Sequence, residues 1–317
     1  MTSLAVLHPA TLLGKELRQR LEAHPQLATE RLRLLTTRAE EAGTLTEAAG
    51  GAAVVTLFEA DDLAGTDIVF FCGPIAETRP LLAELPSETT AIVLSPDATR
   101  GDGLPVVAGI NSDAAMAGQV LISPHPGAVA LAHLLHPLRR LGLEQAVATL
   151  IQPASLHEEA GLHELFEQTR SILTFSAQPP SPVFRRQIAF NLLPAGGGSD
   201  PLVGQLGALL GEDLRVALQI VQGGVFHGFS LSVHTVFASD PGAAAIRAAL
   251  RSSPIVELFD EPDLLGPIDA AQSESLLVGH VHPDPRQAAA HWLWATMDNL
   301  TRGGAMNALE IAENVLG

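Results

Sequence analysis

The run Ile122-Ser-Pro-His-Pro-Gly-Ala-Val-Ala-Leu-Ala-His-Leu-Leu-His-Pro-Leu-Arg139 passes from an apolar strand, through a proline-punctuated loop, into a helix. Pro126 stands at the first-turn position of that helix, where a fixed φ and a missing N–H are well tolerated. The spacing predicts helix over roughly 127–141. A side chain at such a position meets the helix dipole and unsatisfied N–H groups, which favour an anion and lower the pKa of a thiol. Proline carries no group that this field can activate.

Outward from there, Leu4–Leu7, Arg31–Leu35, Asp67–Phe71, Ala91–Leu94 and Pro105–Val107 are apolar runs of strand length. Between them Leu12–Glu22 and Ile75–Leu85 carry helical spacing, and such alternation predicts right-handed crossovers and a parallel sheet. After about residue 126 helices at 127–141 and 158–173 alternate with strand candidates at 187–193, 213–222 and 227–238. Phe229–Val236 has period two, as expected of a sheet with one face covered. The proline-rich run 176–182 reads as a loop and Ala195–Ser199 as a flexible connection. Met297–Leu316 reads as a closing helix, with Leu300, Met306, Leu309, Ile311, Ala312 and Val315 on its apolar face.

The 317 residues suit two domains, each with a sizeable core. A net charge of −17 argues against nucleic acid or an anionic membrane surface as partner. A single cysteine excludes an internal disulfide and suits a reducing cytosol. With no leader pattern and no membrane-length apolar run, the expected location is cytoplasmic.

Several motifs carry a resemblance. Met297-Asp-Asn-Leu-Thr-Arg-Gly-Gly-Ala-Met-Asn-Ala-Leu-Glu-Ile-Ala-Glu313 is the most specific, joined by Ala189-Phe-Asn-Leu-Leu-Pro194, Gly161-Leu-His-Glu-Leu-Phe-Glu-Gln-Thr169 and Val225-Phe-His-Gly-Phe-Ser-Leu-Ser-Val233. Together with the 122–139 stretch they resemble the aspartate-semialdehyde dehydrogenase family. The resemblance implies an α/β protein: a Rossmann-like dinucleotide-binding domain with a parallel sheet (1–125 with 297–317), plus an inserted α+β domain (126–296). In this family the second domain forms a homodimer across its sheet, and the apolar strands of 213–238 are consistent with that use.

The family's chemistry requires a cysteine that forms a thioester, hydride from NADPH and phosphate as nucleophile or leaving group. Ser123 and Pro126 stand at the family's Asn and nucleophilic Cys. The acid–base histidine is matched by Phe229, which cannot titrate. His227, two residues earlier, would share a strand face with it and is either a displaced base or an ordinary strand histidine. Cys72 is either a substitute nucleophile or a small buried hydrophobe. Two substrate arginines are matched by Gln222 and His280, and Asp200–Gly211 lacks the family's lysine. Gln152 keeps the family's glutamine. Arg100 matches an arginine for which the family implies phosphate binding, against the alternative of a solvated loop arginine.

The phosphate loop is altered as well. His8-Pro-Ala-Thr-Leu-Leu-Gly14 stands where the family has three glycines, and only Gly14 remains. The cofactor-side positions implied by the resemblance are Thr11, Gly14, Arg38, Cys72 and Gly73, with Arg38 placed to meet a 2′-phosphate. Neither His133 with His136 nor His280 with His282 has a third ligand at zinc spacing, so no metal is expected. Two readings follow. One is a non-catalytic family member, a dimeric scaffold or small-molecule ligand-binding protein. The other is a working NADP-dependent oxidoreductase using Cys72 or His227.

Overall fold

The computed structural model describes residues 2–27, 31–48, 50–177, 179–195 and 199–317. Within the expected connection Ala195–Ser199, residues 196–198 lie outside that set, as does 178 in the proline-rich run. The chain forms two compact units, Met1–Val129 with Gly204–Leu209 and Gly303–Gly317, and Ala130–Val203 with Leu210–Arg302.

In the first unit a seven-stranded sheet is parallel throughout. Leu4–Leu7 lies inside it, flanked by Leu32–Thr36 and Ile68–Phe71. The chain therefore runs from Leu4–Leu7 first to one side and then to the other, and a switch point falls between Leu4–Leu7 and Ile68–Phe71. Alternate residues serve opposite faces. Leu4, Val6 and Phe70 pack with Leu17, Leu21, Leu309 and Ala312, while Ala5, Leu7 and Phe71 pack with Leu63 and Ile75. Burial on both faces is why these strands read as continuous apolar runs.

The second unit holds a seven-stranded mixed sheet. Its order is Leu192–Pro194, Arg215–Gly223, Leu143–Gln152, Phe229–Phe237, Ala290–Met297, Leu276–Pro283 and Val256–Leu258. Helix Glu158–Leu173 occupies the expected range. Its buried Glu164 accepts hydrogen bonds from the Val183 and Phe184 N–H groups (2.7 and 3.2 Å), and Gln168 accepts from those of Ile188 and Ala189 (2.7 and 3.1 Å).

That network corrects one expectation. Residues 187–193 are not a strand; only Leu192–Pro194 pairs, because the N–H groups of 188 and 189 go to Gln168 rather than to a ladder. The closing helix also starts later than 297. Met297 is still paired with Phe229, and Asp298 then accepts from the Leu300 and Thr301 N–H groups (both 2.8 Å), ending the strand. A π-helical turn follows at Thr301–Met306 before the α-helix Asn307–Leu316. The second helix ends at Leu82, and the 105–107 strand shortens to Leu104–Pro105. Helix Ser199–Leu210, with Leu202, Leu206 and Leu209 buried, has no counterpart among the expected elements.

Two predictions follow from this packing. A Cβ on Gly14 would lie 2.6 Å from the His8 carbonyl oxygen, a backbone atom that cannot turn away. Gly14→Ala should cost ~1–3 kcal/mol in urea unfolding, whereas Gly101→Ala, whose Cβ meets only Thr99 Oγ1 at 3.6 Å, should be near neutral. The second concerns acid. Burial pushes the pKa of His133, whose Nδ1 lies 3.0 Å from Ser253 Oγ, down to about 3, with Arg302 and His136 adding to the shift. His125, ahead of the same helix, is pushed by burial to about 4. Between the ordinary histidine value and these values the unfolded chain binds protons that the folded chain refuses, so stability falls as pH drops from about 6.5 toward 4. The melting temperature should decline over that window, and His133→Gln should make the decline shallower.

Candidate functional site

Three groups of residues carry the positions singled out above. The first lies at the carboxyl ends of the strands flanking the switch point. Thr11 caps helix Leu12–Ala23: its Oγ1 accepts from the Gly14 N–H (3.0 Å), and its carbonyl accepts from the Lys15 N–H (2.9 Å). Its hydroxyl lies 3.0 Å from the His8 carbonyl and 3.3 Å from that of Cys72. Arg38 donates to Glu77 through Nε (3.3 Å) and Nη2 (3.1 Å), and to Glu41 through Nη1 (3.1 Å). These carboxylates raise the guanidinium pKa. His8, buried completely, has its Nε2 3.4 Å from Thr37 Oγ1 and 3.5 Å from Glu77 Oε2. A Cβ on Gly73 would meet the His8 ring at 2.3 Å.

Cys72 is 6% exposed and belongs to the apolar core with Leu4, Leu17 and Phe70. It is packed as a small hydrophobe. A thiol needs exposure and positive charge to attack a substrate, and this one has little of the first.

The second group surrounds the start of helix Pro126–Arg139. His125 caps it, with Nδ1 accepting from the Gly127 N–H (2.9 Å) and its carbonyl accepting from those of Ala128 (2.7 Å) and Val129 (3.1 Å). With Pro126 lacking an N–H, the donors of the first turn are all claimed by the chain itself. Burial keeps the His125 ring neutral near pH 7, with a pKa of about 4. The His125 N–H donates to Gln205 Oε1 (3.0 Å), and Gln205 Nε2 donates to the Ala98 carbonyl (2.7 Å). The fully buried Gln205 thereby bridges the 95–100 loop and the 123–126 loop. Arg100 is exposed at the end of the first of these. Ser123 Oγ accepts from Asn307 Nδ2 (2.9 Å), and Asn307 Oδ1 accepts from the Ala108 N–H (3.0 Å).

The third group lies in the second unit. Gln152 Nε2 donates to Gln222 Oε1 (3.0 Å), and His157 Nε2 reaches the same oxygen at 3.0 Å. Gln222 Nε2 in turn donates to the carbonyls of Gln152 and Gly223. Phe229 is fully buried. His227 does not share its strand face: the strand begins at Phe229, and Gly228 (φ 84°) turns the backbone between them, leaving His227 exposed in a bend. Asn299 Oδ1 accepts from the Gly228 N–H (3.0 Å) and lies 3.2 Å from Ser155 Oγ, so the Asp298-Asn299 pair of the closing motif fixes turns. His280 pairs with Asp263 at 2.6 Å.

His8, His125, Gln205 and His157 are the residues that sequence reasoning passed over as site components. His8 and His125 were both in quoted motifs, and each occupies a position next to or in place of a residue whose loss was noted. Gln205 lies on the helix that was not anticipated. Among the described residues no group of three or more His, Cys, Asp or Glu is placed to hold a metal, and no helix is long and apolar enough to cross a membrane.

Residues 135–302 match the family described as semialdehyde dehydrogenase, dimerisation domain. The chain is 33% identical over 279 residues to a USG-1 protein homolog of Azotobacter vinelandii, covering 82% of each chain. It is 30% identical over 210 residues to an aspartate-semialdehyde dehydrogenase of Rickettsia bellii, covering 62% of each. The structure of a probable aspartate-semialdehyde dehydrogenase from Pseudomonas aeruginosa superposes with a TM-score of 0.90 at 27% identity, covering 98% of this chain and 97% of the other. With the parallel dinucleotide-type sheet, the mixed second sheet and the ordered motifs, these matches establish that the chain belongs to the aspartate-semialdehyde dehydrogenase family.

Proposed function

We propose that this chain is a non-catalytic member of its family whose function is that of a cytoplasmic homodimeric scaffold. One observation carries the reading. The helix start that should activate a thiolate begins with Pro126, and its remaining first-turn N–H groups are bonded within the chain. An acyl-transfer site needs a nucleophile and donors aimed at the developing charge, and this helix start offers neither. The other groups agree. Phe229 stands at the acid–base position, Gln222 is engaged with Gln152 and His157, and Gln205 bridges the loops beside Pro126.

The family implies NADP, and the residues present do not fit it. The His8 ring lies against Gly73, and Arg38 is held by Glu41 and Glu77. The relative from Azotobacter vinelandii is not named as a dehydrogenase, whereas that from Rickettsia bellii is. The competing reading, a working dehydrogenase, has to find its nucleophile in Cys72, which is buried in the core of the first unit.

The dimer is assigned to the region 126–296, and its surface to one row of the mixed sheet. Val147 pairs with His234, His234 with Trp292, and Trp292 with His282, so the four side chains share one face. Val147 and Trp292 are 41% and 37% exposed, unusual for large apolar groups in a sheet interior.

Purified protein supplied with aspartate semialdehyde, phosphate and NADP should form no NADPH above background. Robust turnover that Cys72→Ala abolishes would defeat the proposal. In light scattering the protein should run at twice the 33.2 kDa chain mass. Val147→Glu with Trp292→Glu should give folded monomers; a wild-type monomer at micromolar concentration would remove the scaffold.

A further inference from the structure

Open α/β sheets take their ligands at the carboxyl ends of the strands beside a switch point. In this chain that crevice is bounded by His8 after Leu4–Leu7, Thr37 and Arg38 after Leu32–Thr36, and Gly73 after Ile68–Phe71. We propose that His8 is an internal clasp: its imidazole, seated on Gly73 and facing Thr37 and Glu77, fills the space a dinucleotide phosphate requires and keeps the crevice shut. The proposal rests on the non-catalytic reading and gives its cofactor half a physical cause.

Four observations support it. His8 has φ 58°, in the left-handed region where a side chain is strained and glycine is not. Such a conformation persists only where the surroundings hold it. The ring packs so closely on Gly73 that an added Cβ would sit 2.3 Å from its Cδ2, so the bare backbone of Gly73 receives the chain's own imidazole. The ring is completely buried, and its Nδ1 has no hydrogen-bond partner among the described residues. Its other nitrogen, Nε2, has only long contacts, to Thr37 Oγ1 (3.4 Å) and Glu77 Oε2 (3.5 Å), so close packing on Gly73 is the tighter of its restraints. Burial, with Arg38 adding to it and Glu77 and Glu41 opposing, pushes the His8 pKa below its ordinary value and favours the uncharged ring.

Around the ring, Glu77 and Arg38 form a pair whose side chains are 38% and 31% exposed, with Glu41 bonded to the other side of Arg38. Half-exposed ion pairs contribute little, whereas a fully buried ring displaces solvent and ligand alike. The ring is the part that excludes, and the carboxylates only border it.

The test titrates NADPH into the full-length wild type, His8→Gly and Glu77→Gln, reading nucleotide fluorescence and binding heat. Glycine accepts φ 58° without strain, so His8→Gly should keep the wild-type circular dichroism, with melting lowered only by the cavity that the ring leaves. Wild type and Glu77→Gln should show no saturable binding below ~1 mM, and His8→Gly should bind at least ~10-fold more tightly. Three results would overturn the clasp: sub-millimolar binding by the wild type, a folded His8→Gly variant binding no better than wild type, or Glu77→Gln opening the crevice as far as His8→Gly. Turnover is scored separately. NADPH formation by the wild type sinks the non-catalytic function, while a silent enzyme that nonetheless binds NADPH sinks the clasp alone.

Discussion

Two helix starts in the first unit spend their unsatisfied N–H groups on the chain itself. A helix leaves its first donors without intrahelical partners, and that shortage is what makes such a terminus useful to an anion. At Leu12–Ala23 the Thr11 side chain and carbonyl take Gly14 and Lys15; at Pro126–Arg139 the His125 ring and carbonyl take Gly127, Ala128 and Val129. The donors so bonded at these two helix starts are not offered to a phosphate or an oxyanion. The sheet, the crossovers and the capped helices persist because they need only backbone geometry and apolar contact, and those requirements are independent of chemistry.

The closing motif makes the same division clear within a single stretch. Asp298 ends a strand, Asn299 ties the Gly228 turn to Ser155, and Asn307 joins Ser123 to the 106–108 segment. Each is a polar side chain buried with its partners satisfied, and each replaces a backbone partner that a turn cannot supply. Glu164 and Gln168 do likewise for 183–189. The motifs that survive in this chain are thus those whose side chains hold backbone in place. Those that differ, at His8, Pro126, Gln222 and Phe229, are the positions to which the family resemblance assigns ligand or catalytic roles.

The parallel sheet was legible because strands buried on both faces become unbroken apolar runs, as in Leu4–Leu7 and Ile68–Phe71. Helix 158–173 was legible from its spacing. The 187–193 segment was misread because Ile188 and Ala189 look like strand residues, while their N–H groups answer to a glutamine twenty residues upstream. Helix 199–210 was missed for a related reason: a glycine-rich approach masks a segment whose leucines are ordered by tertiary contact. That 126 is a proline at a helix start and 229 an untitratable phenylalanine could be read from residue types alone. How each vacancy is filled could not, since a histidine that caps a helix and one that lies over a glycine differ only in backbone angle and neighbours.

The core of the first unit draws on both early and late parts of the chain. Leu4, Val6 and Phe70 pack against Ala305, Ala308, Leu309, Ile311 and Ala312, and Asn307 fastens the 106–108 segment. During synthesis the first hundred residues emerge long before these partners do. One face of their sheet, partly covered by Leu17 and Leu21, lacks these late partners until the mixed-sheet unit has been translated. Folding of this unit is therefore complete only when its late-sequence residues are in place, which links its core to the far end of the 317 residues.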